Sequence, residues 1–244
     1  MPTGVDISAN LNQIEERIKK ACERSGRDRS EVTLIAVSKM NPPESVVQAH
    51  DCGACVFGEN KVQELSSKLD YMDEHGVKGL EWHLIGHLQT NKVKYCIGRV
   101  AMIHSVDSLK LASAIDAESL KKGVITPVLI EINIGDEDSK FGVTPEEAEP
   151  LARQLSELKN LRLCGLMTVA PVAICPEDNR FYFRKMKELS VDIASKNIDN
   201  ISMNVLSMGM TGDFEIAIEE GATHVRVGTG IFGARDYSNK EVIK

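Results

Sequence analysis

The sequence predicts a single (β/α)8 barrel with an extra helix at its N-terminal end. Three observations lead there. Eight short, β-branched apolar runs alternate with longer amphipathic stretches, the signature of βα units. A chain of 244 residues has the usual length for eight such units. Small, polar and reactive residues recur just after the runs, on the face where barrels of this kind carry their sites. The alternative is a doubly wound open sheet with one strand miscounted. Residues 1–244 are expected to form one domain.

The elements follow in order. Ile7, Leu11, Ile14, Ile18 and Cys22 fall at helical spacing with charged residues on the opposite face, so the opening segment is an amphipathic flanking helix. Strands are expected at Thr33 to Ser38, Cys55 to Gly58, Trp82 to Ile85, Met102 to Ser105, Val128 to Asn133, Arg162 to Met167, Asn204 to Ser207 and His224 to Val227. Helix patterns begin near Pro43, Asn60, Leu88, Ser108, Thr144, Glu177 and Asp213, with a last one after Ile231. Thr144-Pro-Glu-Glu147 reads as a capping box with proline at the first helical position.

Composition narrows the function. The formal net charge of −7 comes from interspersed acids, without a Lys/Arg stripe to neutralise phosphates along a nucleic acid. No apolar run approaches the roughly 20 residues of a membrane helix, and the N-terminus lacks a signal-peptide pattern, so a cytoplasmic protein without a membrane role is expected. The six cysteines are scattered except for Cys52-Gly-Ala-Cys55, which lies between a helix and a strand, the reverse of a redox motif. Gly53 there reads as a helix C′ residue.

Lys39, Glu59 and Asn60, Gly86 and His87, Ser105 and Asp107, Asn133, Met167, Ser207-Met208-Gly209, and Arg226 with Gly228-Thr229-Gly230 follow or end the eight runs in turn. Barrels often bind phosphate through the loops after strands seven and eight. Ser207 offers a hydroxyl, Gly209, Gly228 and Gly230 allow close backbone approach, and Thr229 adds a donor. Gly228 to Gly233 also spells GxGxxG, but a dinucleotide fold needs a further strand and an acidic residue about 20 positions on. A small monophosphate is expected instead.

Lys39 leaves an apolar strand, where partial desolvation lowers an amine's pKa and exposes a nucleophile. Opposite a phosphate loop it becomes a Schiff-base candidate. Arg226 shares the inward side of Gly228 by strand alternation. An inward arginine needs an acceptor: either a structural carboxylate or a group such as the pyridine nitrogen of pyridoxal 5′-phosphate (PLP), which it would keep largely unprotonated. A ring held that way is a weak electron sink. His83 and His87 form an HxxxH that straddles a strand end, so no metal is expected, and Asn60 and His83 count among the cofactor contacts. Met167 and Met208 are candidates to cover a ring face, with core filling as the alternative. Lys140 lies in the loop after strand five, where solvated charge is the default.

Six blocks in order, Ala36-Val-Ser-Lys39, Phe57-Gly-Glu-Asn60 with Val62-Gln-Glu64, Trp82-His-Leu-Ile-Gly86 with Leu88-Gln and Asn91-Lys92, Gly165-Leu-Met167, Ser207-Met-Gly-Met210, and Arg226-Val-Gly-Thr229 with Ile231-Phe-Gly233, resemble the YggS/PROSC-type PLP homeostasis proteins. The resemblance spans almost the whole chain. It implies an alanine-racemase-like barrel, PLP on Lys39, phosphate contacts from Ser207, Gly209, Gly228 and Thr229, and Arg226 facing the pyridine nitrogen. Thr211 stands where the family commonly has serine.

Two functions from different classes follow. One is a homeostatic carrier that loads, stores and releases PLP, with transient PLP-requiring apoenzymes as partners and without a dedicated reaction of its own. The other is a PLP-dependent amino-acid racemase, which needs a second base opposite the lysine. Related enzymes supply that base as a tyrosine from an added β domain, whereas only a short helix and a polar tail are expected here after the eighth strand. None of Tyr71, Tyr95, Tyr182 or Tyr237 falls at a predicted strand end. The carrier is therefore preferred, and without the racemase's second domain a monomer is expected. Aldolase-like Schiff-base chemistry on a sugar phosphate would also use a lysine beside a phosphate loop.

Overall fold

The computed structural model describes residues 5–137 and 139–234. Its strands are β1 (Thr33–Val37), β2 (Val56–Glu59), β3 (Glu81–Leu84), β4 (Met102–Val106), β5 (Thr126–Ile132), β6 (Leu161–Thr168), β7 (Ile201–Met210) and β8 (His224–Val227). All pair in parallel and in sequence order, and β8 returns to β1 through the register Thr33↔His224 to Ala36↔Val227, closing the barrel. The helices are α1 (Ile7–Arg24), α2 (Pro43–Asp51), α3 (Val62–Glu74), α4 (Leu109–Lys122), α5 (Pro145–Ser156), α6 (Arg180–Ser195), α7 (Phe214–Glu219) and α8 (Thr229–Phe232). The closed barrel excludes the open-sheet alternative.

Strand alternation sorts the side chains. Phe57, Trp82, Leu84, Ile103, Val225 and Val227 point outward into one core shared with the helices, while the positions between them point into the barrel. There Gly58 leaves room for its neighbours: a Cβ on it would come within 2.8 Å of Ile35 and 3.0 Å of Ile85.

All five predicted anchor residues of α1 are buried, each such side chain contributing about 2 kcal/mol. Arg17 and Arg24 pair with Glu215, and Arg24 with Glu219, on and beside α7 at 2.5 to 3.0 Å. Exposed pairs of this kind contribute at most about 1 kcal/mol each, so the apolar stripe fixes the helix and the ion pairs orient it.

Three expectations need correction. The stretch after Leu88 is a 3-10 turn, Thr90–Tyr95, in which Val93 alone is buried, so no apolar stripe supports a full α-helix. Strand β7 runs on to Met210 because Gly209, at φ +88°, absorbs an irregularity in its pairing with β8. The final helix begins at Thr229, before Ile231, and the tail beyond Ala234 lies outside the described residues. Gly53, at φ +98°, does follow α2 as a C′ residue, and all six cysteines are free thiols. Among the described residues no helix is long and apolar enough to cross a membrane.

Candidate functional site

The backbone on both sides of Lys39 is clamped from outside the barrel. Ser38 Oγ donates to Glu59 Oε1 at 2.6 Å, and Lys68 of α3 donates to the Ser38 carbonyl oxygen at 2.7 Å and to the same Glu59 carboxylate. Glu64, one turn before Lys68, accepts from Lys68 at 3.0 Å and from the Met40 backbone N–H at 2.5 Å. Lys68 and Glu59 are buried. Burial pushes the Glu59 carboxyl up, against the opposing pull of Lys68. Met40 sits at φ +63°, a left-handed conformation that costs a non-glycine residue about 1 to 2 kcal/mol. The network holds the turn that sends Lys39 off the end of β1.

Lys39 lies beside the Gly228–Gly230 loop and not opposite it, because β1 and β8 are neighbouring strands. A Cβ on Gly228 would come within 3.2 Å of the Val37 carbonyl oxygen. The amides of Gly228 and Gly230 both point at Thr211 Oγ1, at 3.3 and 3.4 Å, and Thr229 between them is exposed. Helix α1 supports this loop from below: Asn10 Nδ2 donates to the Ile231 carbonyl oxygen at 2.9 Å, and Ile14 lies 3.2 Å from where a Gly230 side chain would start.

Of the expected phosphate contacts, Ser207 and Gly209 each have a further role within the protein. Ser207 is fully buried inside the barrel, its hydroxyl engaged with Arg226 and His104. Gly209 serves helix packing, since a Cβ there would lie 2.5 Å from Ala217 Cβ and 2.9 Å from Phe214 Cα. The hydroxyl at the loop belongs to Thr211, four residues further along.

Arg226 is inward, as alternation requires, and 4% exposed. Its Nη1–H donates to Ser207 Oγ and its Nη2–H to the Thr168 carbonyl oxygen, both at 2.7 Å. Burial brings the guanidinium down to about 10, with Glu131 and Asp213 pulling the other way; it remains a cation at neutral pH. His104 Nδ1 lies 3.0 Å from Ser207 Oγ, His83 Nδ1 lies 2.8 Å from His104 Nε2, and His83 Nε2 lies 2.8 Å from Glu81 Oε1. His83 therefore belongs to the barrel's polar interior, in contact with other side chains of the protein.

Met167 is fully buried and lies in register with Ser207. The side chain of Met208 corrects expectation: it is fully buried in the outer core with the helices, so it does not cover a ring at the mouth. His83 and His87 are separated, His87 stacking on Phe141 at 3.9 Å with Nδ1 3.4 Å from Asp107, and among the described residues no cluster fits a metal ion. Lys140 is pinned: its ammonium lies 2.6 Å from Glu137 and donates to the carbonyls of Val169 and Ala170 at 3.3 and 3.2 Å.

Sequence reasoning missed Glu131. It stands on β5, four strands from β1 and so across the barrel from Lys39. Burial, then the nearby Asp107, push its carboxyl to about 7, with Arg226 opposing. Glu131 Oε2 and Asn60 Oδ1 are buried without hydrogen-bond partners among the described residues. A charged residue alternating inward at the end of an otherwise apolar strand was the available signal.

Residues 9–236 match the model of the alanine racemase N-terminal domain family. The chain is 47% identical over 227 residues to the pyridoxal phosphate homeostasis protein of Aquifex aeolicus, covering 93% of this chain and 97% of that protein. It is 41% identical over 236 residues to the protein of the same name from Escherichia coli strain K12, covering 96% and 99%. Among solved structures, PipY of Synechococcus elongatus with PLP bound is 33% identical with a TM-score of 0.77, covering 90% of this chain and 100% of that one.

Proposed function

The chain belongs to the alanine racemase N-terminal domain family, and from that premise we propose that it is a PLP homeostasis protein, holding the cofactor on Lys39 for storage and delivery. The observation that carries this is the meeting of three groups on adjacent strands: Lys39 after β1, the Arg226 guanidinium on β8, and the Gly228 and Gly230 amides gathered on Thr211. They match the aldehyde, ring nitrogen and phosphate of one small molecule. The partnerless oxygens of Asn60 and Glu131 also fit a ligand with polar ring substituents.

When bound, PLP supplies an aldehyde that condenses with a primary amine and releases water. Every other role falls to the protein. Lys68, Glu59 and Glu64 orient the Lys39 backbone. Gly228, Thr229, Gly230 and Thr211 hold the phosphate with neutral donors. Arg226, a donor that keeps its proton, leaves the ring nitrogen unprotonated. That arrangement disfavours carbanion chemistry, and the described tyrosines, Tyr71 on α3, Tyr95 in the 3-10 turn and Tyr182 on α6, all lie off the strand ends. Both points support a carrier over a racemase. The protein would act as a cytoplasmic monomer that meets PLP-requiring apoenzymes transiently.

Reconstitution tests this. Addition of PLP should give a band near roughly 420 nm that borohydride bleaches, and Lys39→Ala should lose the band while retaining weaker binding. A chain that gains no absorbance would sink the assignment. Fast Cα–deuterium exchange of single L-amino acids by the loaded protein would instead favour the racemase.

A further inference from the structure

Four hydrogen bonds join Arg226, at the cofactor end, to Glu81, the first residue of β3 at the other end of the barrel, whose side chain is 54% exposed. They run Arg226 to Ser207 at 2.7 Å, Ser207 to His104 at 3.0 Å, His104 to His83 at 2.8 Å and His83 to Glu81 at 2.8 Å. The end groups fix the direction of every bond. Arginine can only donate, and an ionised glutamate can only accept. With both histidines neutral, the Arg226 N–H donates to Ser207 Oγ, the Ser207 O–H to His104 Nδ1, the His104 Nε2–H to His83 Nδ1, and the His83 Nε2–H to Glu81. Four bonds use four protons.

One more proton breaks this order. On His83 it would force His104 to take its hydrogen on Nδ1, and Ser207 would then receive two donors with its own hydrogen left without an acceptor in the chain of bonds. A neutral His104 is consistent with its surroundings. His224 of β8 faces both rings, at 6.0 Å from His83 and 6.3 Å from His104, with its Nδ1 3.0 Å from Thr223 Oγ1. Burial above all, then His83, His224 and Arg226, hold His104 well below the usual histidine range.

We propose that Glu81, His83 and His104 are positioning residues for Arg226, a relay that presents Ser207 Oγ as an acceptor and so aims the guanidinium at the cofactor's ring nitrogen. A buried guanidinium needs its donors satisfied, and the acceptors of this one are the neutral Ser207 Oγ and Thr168 carbonyl oxygen, with Glu131 and Asp213 acting on it electrostatically. The relay supplies an acceptor whose far end is an anion in contact with water. Its effect on cofactor binding rests on the reading of Arg226 given above; the hydrogen-bond order does not.

Long-range 1H–15N correlation spectra of the full-length, 15N-labelled protein test the order directly. His83 and His104 should both carry hydrogen on Nε2 in the wild type. Glu81 is half exposed, so its variants should fold. Glu81→Ala should mix the tautomers of both rings and weaken PLP binding about tenfold. Glu81→Gln keeps an acceptor oxygen and should restore both. Hydrogen on Nδ1 of His104, unchanged tautomers and affinity in Glu81→Ala, or no rescue by Glu81→Gln would each overturn the relay. Tautomers as assigned in a wild-type protein that binds no PLP would uphold the relay and sink the cofactor reading alone.

Discussion

Lys68 donates to the carbonyl oxygen of Ser38 at 2.7 Å, one residue before Lys39. A buried ammonium thus sits behind the proposed attachment point and joins Glu59, Glu64 and the β1 terminus. Lys68→Met would strand the buried Glu59 carboxylate and is expected to cost about 3 kcal/mol in denaturant unfolding. Adding Glu59→Gln should recover part of that loss, because the orphaned charge goes with it. A double variant no more stable than the single one would show that the ion pair is not the source.

Thr211 Oγ1 is where the Gly228 and Gly230 amides converge. Thr211→Val should weaken PLP binding about tenfold and leave binding of pyridoxal, which has no phosphate, unchanged. Equal losses for both ligands would place the contact elsewhere.

Two groups inside the barrel, the half-buried His224 and the buried Glu131, make stability depend on pH in opposite senses. Burial, and next His83, lower His224 to about 4. The unfolded chain therefore binds the proton more readily, and this contribution, about 3 kcal/mol, is lost as pH falls from the ordinary histidine range towards 4. Glu131, raised to about 7, binds its proton more tightly when folded, so its contribution is present at acid pH and lost as pH rises from the ordinary carboxyl range through 7. Glu131→Gln should steepen the rise of unfolding free energy with pH between about 4 and 7, and His224→Gln should flatten it. Parallel profiles in both variants would exclude these residues as the source.

Gly209→Ala should destabilise the fold by about 2 kcal/mol, since the residue is at φ +88° and its Cβ would meet Ala217 Cβ at 2.5 Å. Calorimetry would show this as a lower Tm. An unchanged Tm would mean that α7 shifts without cost.

The barrel was legible because its evidence is local. Short apolar runs such as Leu34 to Val37 and caps such as Thr144 to Glu147, where the Thr144 N–H donates to Glu147 at 2.9 Å, depend on neighbours in sequence. Lys39, Arg226 and the Gly228 loop were readable for the same reason, each being marked by its position against a strand end. The clamp and the relay were not. Lys68 reads as one more charge on an amphipathic helix until α3 is laid beside Ser38. Ser207 reads as a phosphate ligand until closure of the barrel brings His104 of β4 to its hydroxyl. Side chains that meet through the barrel interior come from strands far apart in sequence, and no spacing rule links them.

The pairing of β1 with β8 has a consequence for how the protein comes into being. Lys39 follows the first strand of the barrel, while Arg226 and the Gly228 loop lie on and after the strand paired with it, nearly two hundred positions later. Such late, distant pairings make folding slow relative to helix-rich chains. On the ribosome the lysine emerges long before the groups that would hold a phosphate beside it. If Lys39 is the attachment point proposed above, selective capture of the cofactor waits for β8 to dock, and a nascent chain stalled before β8 would carry that amine without the groups proposed to choose its aldehyde.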